Sequence, residues 1–427
     1  MSNAMRVLYA CLPLLLVHAL WAQPAPPAAP LTVDAAVKEA LDHNLGLLAQ
    51  HFNVSIAEAN LITAGLRPNP VVSVGGDHLD VLGTGYNASN AAGPAEYSLR
   101  TDFVFERGGK RQSRVEVAQN SIQLARLQLL DEARKLILDV QSSFVDLQLA
   151  KANLSLAQES LKALSEVVEV NAIRVKAGDL ANVELVRSRI AALQFRNQVK
   201  QAELSVRSQK NRLQFLLGRT QPAVDFEIGG DFRGERKAVD PSQIRARAEE
   251  SRPDLQALRS ELARSQAELR LQIAQGKADY VVGSEYRRQQ GLAGTGNSLG
   301  IFFQTNIPVF NRNQGEIERV RREQQQIDAR LRELQISIGV EVENVYQRYR
   351  TALSLLADIE KDMLGQARDV RNITEYSYKR GEATLIEFLD AQRAFNETMQ
   401  TYNESRAEYA RSLYSLDSVA GTAGDSK

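Results

Sequence analysis

An internal duplication constrains this chain more than any other feature. The stretch Arg174-Val-Lys-Ala-Gly178-Asp-Leu-Ala-Asn-Val-Glu184 is matched by Ser377-Tyr-Lys-Arg-Gly381-Glu-Ala-Thr-Leu-Ile-Glu387, at an offset of 203 residues. The same offset carries Gly218, which follows Phe215-Leu-Leu, onto Gly421. Upstream the match loosens, with Tyr97–Phe105 answering Ser298–Phe310. One structural unit of about 200 residues therefore occurs twice.

Heptads dominate each unit. Val140, Leu147, Leu154, Leu161, Val168 and Val175 fall seven apart. Ile317, Leu331, Ile338, Val345, Ala352, Ile359 and Ile373 share one heptad position, interrupted by Gln324 and Gln366. After the glycine turns, Leu185, Ala192, Val199, Val206 and Leu213 correspond to Phe388, Phe395, Tyr402, Tyr409 and Leu416. A seven-residue period sustained over many turns predicts coiled-coil packing. No proline lies between Pro94 and Pro222 or after Pro308, so long helices are permitted. A helix over 108–177 would be about 105 Å long. Shorter helices over 34–65 and 180–218, stacked end to end, would run its length. The second unit offers 311–380 against 253–276 plus 382–420.

Four segments break the helical pattern, at about 70–80, 97–106, 280–289 and 298–310. Tyr97, Leu99, Thr101, Phe103 and Phe105 alternate with a mostly polar set, as do Leu299, Ile301, Phe303, Thr305 and Ile307. About ten residues suffice for a tilted membrane-crossing strand, although a hairpin packed on soluble helices would show the same alternation. The Gly-, Asn- and Ser-rich stretches 80–95 and 289–297 join these segments as two hairpins. Four strands cannot close a barrel, and open edges are not tolerated in lipid; three copies would supply twelve strands.

Composition excludes several function classes. Lys and Arg number 52 and so do Asp and Glu, a balance that argues against a nucleic-acid binder. With one cysteine (Cys11) and four histidines (His18, His43, His51, His78), a disulfide framework is ruled out and no zinc-ligand spacing is seen. There is no nucleophile–base pair, phosphate loop or catalytic carboxylate constellation, so the expectation is a protein that is not an enzyme, with no cofactor and no resident metal. Arg6 followed by the apolar run Val7–Trp21 reads as a signal peptide over 1–22, cleaved after Ala22, with Ser2-Asn3-Ala4 an appended stretch ahead of a natural start at Met5. Leu8-Tyr9-Ala10-Cys11 faintly resembles a lipobox, but the apolar core follows Cys11 instead of closing on it. The expected order is then a leader over 23–33, a first repeat over 34–218, an equatorial connection over 219–252, a second repeat over 253–421 and a tail over 422–427.

Several short motifs fall in one order at these spacings. They are Leu66-Arg-Pro-Asn-Pro70, Gly108-Gly-Lys-Arg111, Arg252-Pro-Asp-Leu255, Pro308-Val-Phe-Asn-Arg-Asn-Gln-Gly315, and Tyr378-x-x-Gly381 ahead of Glu387-Phe-Leu-Asp390-Ala. With them the chain resembles the TolC family of outer-membrane efflux channels, over about 31–421. The Gly-Gly-Lys-Arg and Phe-Asn-Arg-Asn-Gln-Gly stretches are most similar to its heavy-metal branch, which serves cobalt–zinc–cadmium or copper–silver pumps. The resemblance implies a mainly α fold with a small β part: a long coiled-coil α-barrel, and four strands per chain that complete a 12-stranded membrane β-barrel in a homotrimer. It implies the outer membrane of a Gram-negative bacterium, with a helical extension into the periplasm. The partners it implies are outer-membrane lipid, a periplasmic adaptor and an inner-membrane pump of the resistance-nodulation-division type. The chain would be a passive gated exit duct for heavy-metal cations. A duct for drugs or secreted proteins is the alternative within the class, and a periplasmic adaptor or structural coiled-coil protein the alternative outside it.

The candidate working residues gather at the two glycine turns. Glu387 and Asp390 lie three apart and share a helix face. In the resembled family, acidic residues here face the pore at its periplasmic end, where crowded carboxylates attract cations. Thr384-Leu-Ile-Glu387 is also a capping box, which gives Glu387 a local reason to exist. The resemblance makes a Tyr378 hydroxyl-to-Glu184 link a candidate latch. An arginine that the family uses nearby is replaced by Ala383, leaving Arg187 as a substitute. Arg187 could equally form an ordinary surface pair with Glu184. Gly178 and Gly381 read as turns that end helices in the left-handed conformation. By resemblance, these turns and the flanking Lys176, Leu180, Thr384 and Leu385 are adaptor-docking tips.

Overall fold

The computed structural model describes residues 30–83, 85, 94–220, 226–236, 238–291 and 294–421. The expected signal peptide, Cys11, most of the leader and the tail lie outside the described residues. In chain order the elements are α1 (Val33–His43), α2 (Leu45–Gly65), β1 (Val71–Asp77), β2 (Glu96–Phe105), α3 (Lys110–Ala177), α4 (Asn182–Leu216), α5 (Pro241–Ser251), α6 (Pro253–Gln275), β3 (Tyr280–Gly291), β4 (Gly294–Thr305), α7 (Gln314–Asp358), α8 (Leu364–Arg380) and α9 (Leu385–Val419). The chain is mainly helical, with one antiparallel sheet of strand order β1-β2-β3-β4.

The two repeats share one plan, in which a long helix is flanked by two shorter ones. In the first, α3 is the long helix, and Val140, Phe144 and Leu147 meet Ala36 and Ala40 of α1 and Leu213 and Leu217 at the end of α4. In the second, Tyr349, Ala352 and Leu356 of α7 meet Tyr409, Leu413 and Leu416 of α9. Small residues join the repeats: Val145 of α3 packs on Ala407 and Ala410 of α9. The heptad column of α3 holds the seam only near Val140 and Leu147, both fully buried. Further along, burial passes to Ser160, Leu164, Val167 and Asn171. An α-helix drifts by about 20° per heptad, so one column cannot stay in contact over a helix this long.

Three interruptions mark the helices, two of them inside segments expected to be continuous, 34–65 and 311–380. The helix expected over 34–65 breaks at Asn44, whose side-chain oxygen accepts from Leu47 N at 3.0 Å and whose amide donates to Leu216 O at 2.9 Å. Gly218 packs so closely there that a Cβ would lie 2.1 Å from His43 O. In the second repeat Arg252 makes the corresponding break between α5 and α6, and Gly421 packs on Ser251 and Arg252. The third interruption is a π-helical turn, Ile359–Met363, between α7 and α8.

Sheet register sorts the strand residues onto two faces. Val74, Leu99, Tyr286 and Leu299 form one cross-strand row, and Phe103, Val282 and Phe303 another. These rows are apolar and exposed; Val74 is 82% and Leu299 77% accessible. The opposite face is charged, with Arg100 paired to Asp102 at 2.9 Å and Arg287 to Glu285 at 2.8 Å. An exposed apolar face backed by a charged face on which Glu285 is buried inverts the usual order for a sheet in water.

Candidate functional site

At the end of the helices remote from the sheet, both repeats turn back and their turns meet. Leu164 and Val167 of α3, Ala191 and Phe195 of α4, Tyr378 of α8, and Leu385 and Phe388 of α9 form one buried cluster. Gly178 and Gly381 end α3 and α8 with φ of 83° and 82°. In each turn the following residue donates back to close it, Asp179 N to Arg174 O at 2.9 Å and Glu382 N to Ser377 O at 2.9 Å. Local glycine chemistry makes the turns, and the apolar cluster brings them side by side. Lys176, Leu180 and Thr384 flank the turns, whereas Leu385 is buried beneath them.

Tyr378 sits at the centre of this cluster, 4% exposed and stacked on Phe388 at 5.6 Å. Its hydroxyl donates to Asn171 Oδ1 at 2.8 Å, not to Glu184. Burial pushes the Tyr378 hydroxyl above its ordinary pKa, against the opposing pull of the Asn171 bond and the Arg174 charge. Glu184 is engaged by Arg187 at 2.8 Å, the ordinary surface pair between residues three apart. The cross-repeat cation is Arg174, whose guanidinium donates to Tyr378 O at 3.4 Å and lies over Gly381. Asn171 and Arg174 were not singled out from sequence. Asn171 carries a readable signal, because it falls seven residues after Leu164 and puts a polar group in an apolar column.

Glu387 caps its own helix. Its carboxylate accepts from Thr384 N at 2.7 Å and from the Thr384 hydroxyl at 2.9 Å, while Thr384 Oγ accepts from Glu387 N. The backbone hydrogen bond from Thr384, helped by the hydroxyl, holds the Glu387 carboxyl below its ordinary range. Asp390 is exposed and pairs with Arg393 at 3.4 Å. It opens a heptad column along α9, Asp390, Glu397, Glu404 and Arg411. Arg411 gathers Asp146 at 2.8 Å, Glu404 at 3.1 Å and Glu408 at 3.0 Å. Glu404 and Glu408 line a groove of about 1060 Å³ between α3 and α7, together with Asn153, Gln347, Arg348 and Thr351. The segment between the repeats covers the other side of α9: Arg406 lies 5.0 Å over Phe232, and the Tyr409 hydroxyl donates to Glu235 O at 2.8 Å. The acidic column thus runs along the side of α9 away from that segment. At the matching positions α4 carries Arg187, Gln194, Gln201 and Ser208, so the column belongs to the second repeat alone.

Above this column α3 and α9 are joined by buried polar groups. Ser160 Oγ bonds to Asn396 Oδ1 at 2.8 Å, and Gln392 Nε2 donates to Asn396 Oδ1 at 3.0 Å. Among the described residues no group of three or more His, Cys, Asp and Glu side chains is placed to hold a metal ion. Nor is any helix long and apolar enough to cross a membrane.

Comparison with known proteins gives a consistent result. The profile of the outer membrane efflux protein family matches residues 36–219 and 244–422, one match per repeat. The chain is 22% identical over 398 residues to the cobalt-zinc-cadmium resistance protein CzcC of Cupriavidus metallidurans, covering 93% of this chain and 92% of that protein. Its fold is similar to that of the outer-membrane channel OprN, with a TM-score of 0.74 at 17% identity over 91% of this chain and 90% of that one. It is likewise similar to CusC, with a TM-score of 0.73 at 18% identity over 91% and 92% of the two chains.

Proposed function

The chain belongs to the outer membrane efflux protein family, and from that premise we propose that it is one third of a gated exit duct for heavy-metal cations. The observation that carries the assembly is that every edge of the protomer is open. β1 and β4 are the edges of the sheet and have no further strand beside them among the described residues. α4 exposes Val183, Val186, Ile190 and Leu193 at coiled-coil spacing, and α8 exposes Val370, Ile373 and Tyr376 at intervals of three, both on the outer flanks of the helical layer. Head-to-tail copies would pair β4 with the next β1 and α8 with the next α4, closing a ring. Three copies fit better than two. An eight-stranded barrel has room only for side chains, whereas the Arg100–Asp102 and Arg287–Glu285 pairs on the inward face call for water. The apolar face then meets lipid, with Tyr97, Phe103, Phe105 and Phe303 in the outer belt.

The tip is the proposed gate. Tyr378, Asn171 and Arg174 hold the two repeats together there, and parting them would widen the end of the tube. Asp390 and the column behind it would line the path, attracting cations by the field of carboxylates repeated in three chains. Likeness to CzcC supports a metal cargo. The turns at Gly178 and Gly381, with Lys176, Leu180 and Thr384 around them and Leu385 buried beneath as support, are the proposed docking points for a periplasmic adaptor, which would connect the duct to an inner-membrane pump. The test is mass and conductance. The mature chain extracted from outer membranes in detergent should have the mass of a trimer and conduct cations selectively in a planar bilayer. A water-soluble monomer without conductance would refute the reading.

A further inference from the structure

The sheet and the helices meet in a collar whose charge differs from that of the rest of the chain. The segments 66–70, 106–114, 276–280 and 306–316 hold seven cations (Arg67, Arg107, Lys110, Arg111, Arg114, Lys277, Arg312) and three carboxylates (Glu106, Asp279, Glu316), although the whole chain is neutral. At the far end of the sheet the described residues include three carboxylates (Asp77, Asp80, Glu96) and two arginines (Arg287, Arg288). In the collar, Lys110 pairs with Asp279 at 2.7 Å and Arg114 pairs with Glu106. Arg67, Arg111, Lys277 and Arg312 are exposed and form no ion pair among the described residues.

Geometry places part of this charge on the apolar side of the sheet. The Tyr280 ring lies 5.2 Å from that of Phe303, a residue of the apolar rows, tilted by 47°, and the Arg107 guanidinium lies 4.4 Å over the Tyr280 ring. Beside them a cavity of about 450 Å³ is lined by Lys110, Lys277, Asn306 and Asn311, with Ile307 and Phe310 at its lip. Ile307 is 77% and Phe310 91% exposed. An apolar lip, continuous with the lipid-facing rows, opens onto amides and two lysines, of which Lys110 is matched by Asp279 in the same lining and Lys277 has no ion-pair partner among the described residues.

We infer that this collar binds the headgroups of anionic phospholipids in the membrane leaflet nearest the helices, with the cavity beside Lys277 as its principal site. The inference rests on the membrane-barrel reading above. Phosphate oxygens would accept from Lys277, the amides of Asn306 and Asn311 would bond glycerol or headgroup hydroxyls, and acyl chains would pass over Ile307 and Phe310. Arg312 is held at the rim, its Nε donating to Pro308 O at 3.2 Å. Ring closure would bring the next copy's β1 beside β4 and so set a second Arg67 against each cavity.

The test counts retained lipid. The assembled channel is reconstituted in nanodiscs of mixed phosphatidylethanolamine and phosphatidylglycerol, and native mass spectrometry reads the lipids that survive transfer to detergent. Phosphatidylglycerol should be retained over phosphatidylethanolamine. Lys277→Gln/Arg312→Gln should lower that preference roughly 30-fold, at about fivefold per cation near an anionic surface. Raised salt should weaken it in the same direction. Arg111→Gln/Lys277→Gln provides a second variant if the first does not assemble. Equal retention of both lipids by the unaltered channel, or an unchanged preference in an assembled variant, overturns the proposal. Displacement by millimolar inorganic phosphate would also overturn it, because the site would then serve a free anion. A channel that conducts but shows no lipid preference sinks the collar alone; a chain that neither enters membranes nor conducts sinks the barrel reading beneath it.

Discussion

Replacing Tyr378 by Phe would test whether the tip is a latch. The hydroxyl donates at 2.8 Å to Asn171 Oδ1, and the two residues are 4% and 0% exposed. Asn171 Nδ2 already lacks a partner, so the substitution strips the buried amide of its side-chain hydrogen bond. Leaving a buried acceptor unpaired costs about 1–3 kcal/mol. If opening parts α8 from α3, water satisfies Asn171 in the open form and the whole cost falls on the closed form. The open-to-closed ratio should then rise roughly 5- to 150-fold. Single-channel recording at neutral pH reads this as time spent open. Asn171→Leu should open the channel to a similar degree. The double variant Tyr378→Phe/Asn171→Leu, apolar on both sides, should return close to the unaltered ratio. Alkaline pH offers an independent reading. Burial raises the Tyr378 pKa in the closed form above 10.0, so the hydroxyl's contribution to closure is complete below the ordinary tyrosine pKa and is lost as pH climbs through the raised value. An unchanged open fraction in Tyr378→Phe, or a double variant as leaky as either single one, would refute the latch.

Other perturbations separate local from long-range causes. Gly218→Ala should destabilise the chain far more than Gly109→Ala in denaturant melts. Both glycines have positive φ, a cost of about 1–2 kcal/mol with a side chain, but only at Gly218 would a Cβ strike a backbone carbonyl, 2.1 Å away. Arg252→Met should cost about 2–3 kcal/mol by the same assay, below the 3–5 kcal/mol of a fully buried pair, because its partners Asp254 and Glu341 are 20% and 44% exposed. The Glu387 cap, its pKa depressed below 4.5, should stabilise the start of α9 above the ordinary glutamate range and fail as pH falls through the depressed value; amide exchange at 385–388 would follow it. Glu387→Ala/Asp390→Ala should raise single-channel conductance and weaken block by divalent cations, and unchanged block would remove these carboxylates from the path.

How much of this was legible in the sequence depends on how local each cause is. Gly178 and Gly381 were legible because a left-handed helix end needs glycine whatever surrounds it. The heptads of α4 and α9 survived into the fold, with Leu185, Val199, Leu213, Phe388, Phe395, Tyr409 and Leu416 all buried. Asn44 gave no such warning. It interrupts a helix because Leu216 O, 172 residues away, takes its amide proton. The π-helical turn at Ile359–Met363 likewise begins on Ile359, a member of the heptad series, and nothing local announces it. The partner of Tyr378 was beyond reach because it depends on how far one helix is rotated against another. Yet a trace of it was present. Leu164 and Asn171, Ser160 and Val167, and Leu385 and Gln392 are seven apart, so each of three polar residues shares a heptad position with a buried apolar one. All three are buried at the α3–α9 and α3–α8 contacts. A buried polar residue in a coiled-coil seam lowers stability and restricts register. These three positions therefore identify the contact between the repeats at which the chain holds one alignment at the expense of tighter packing, and it is the contact that the proposed opening would disturb.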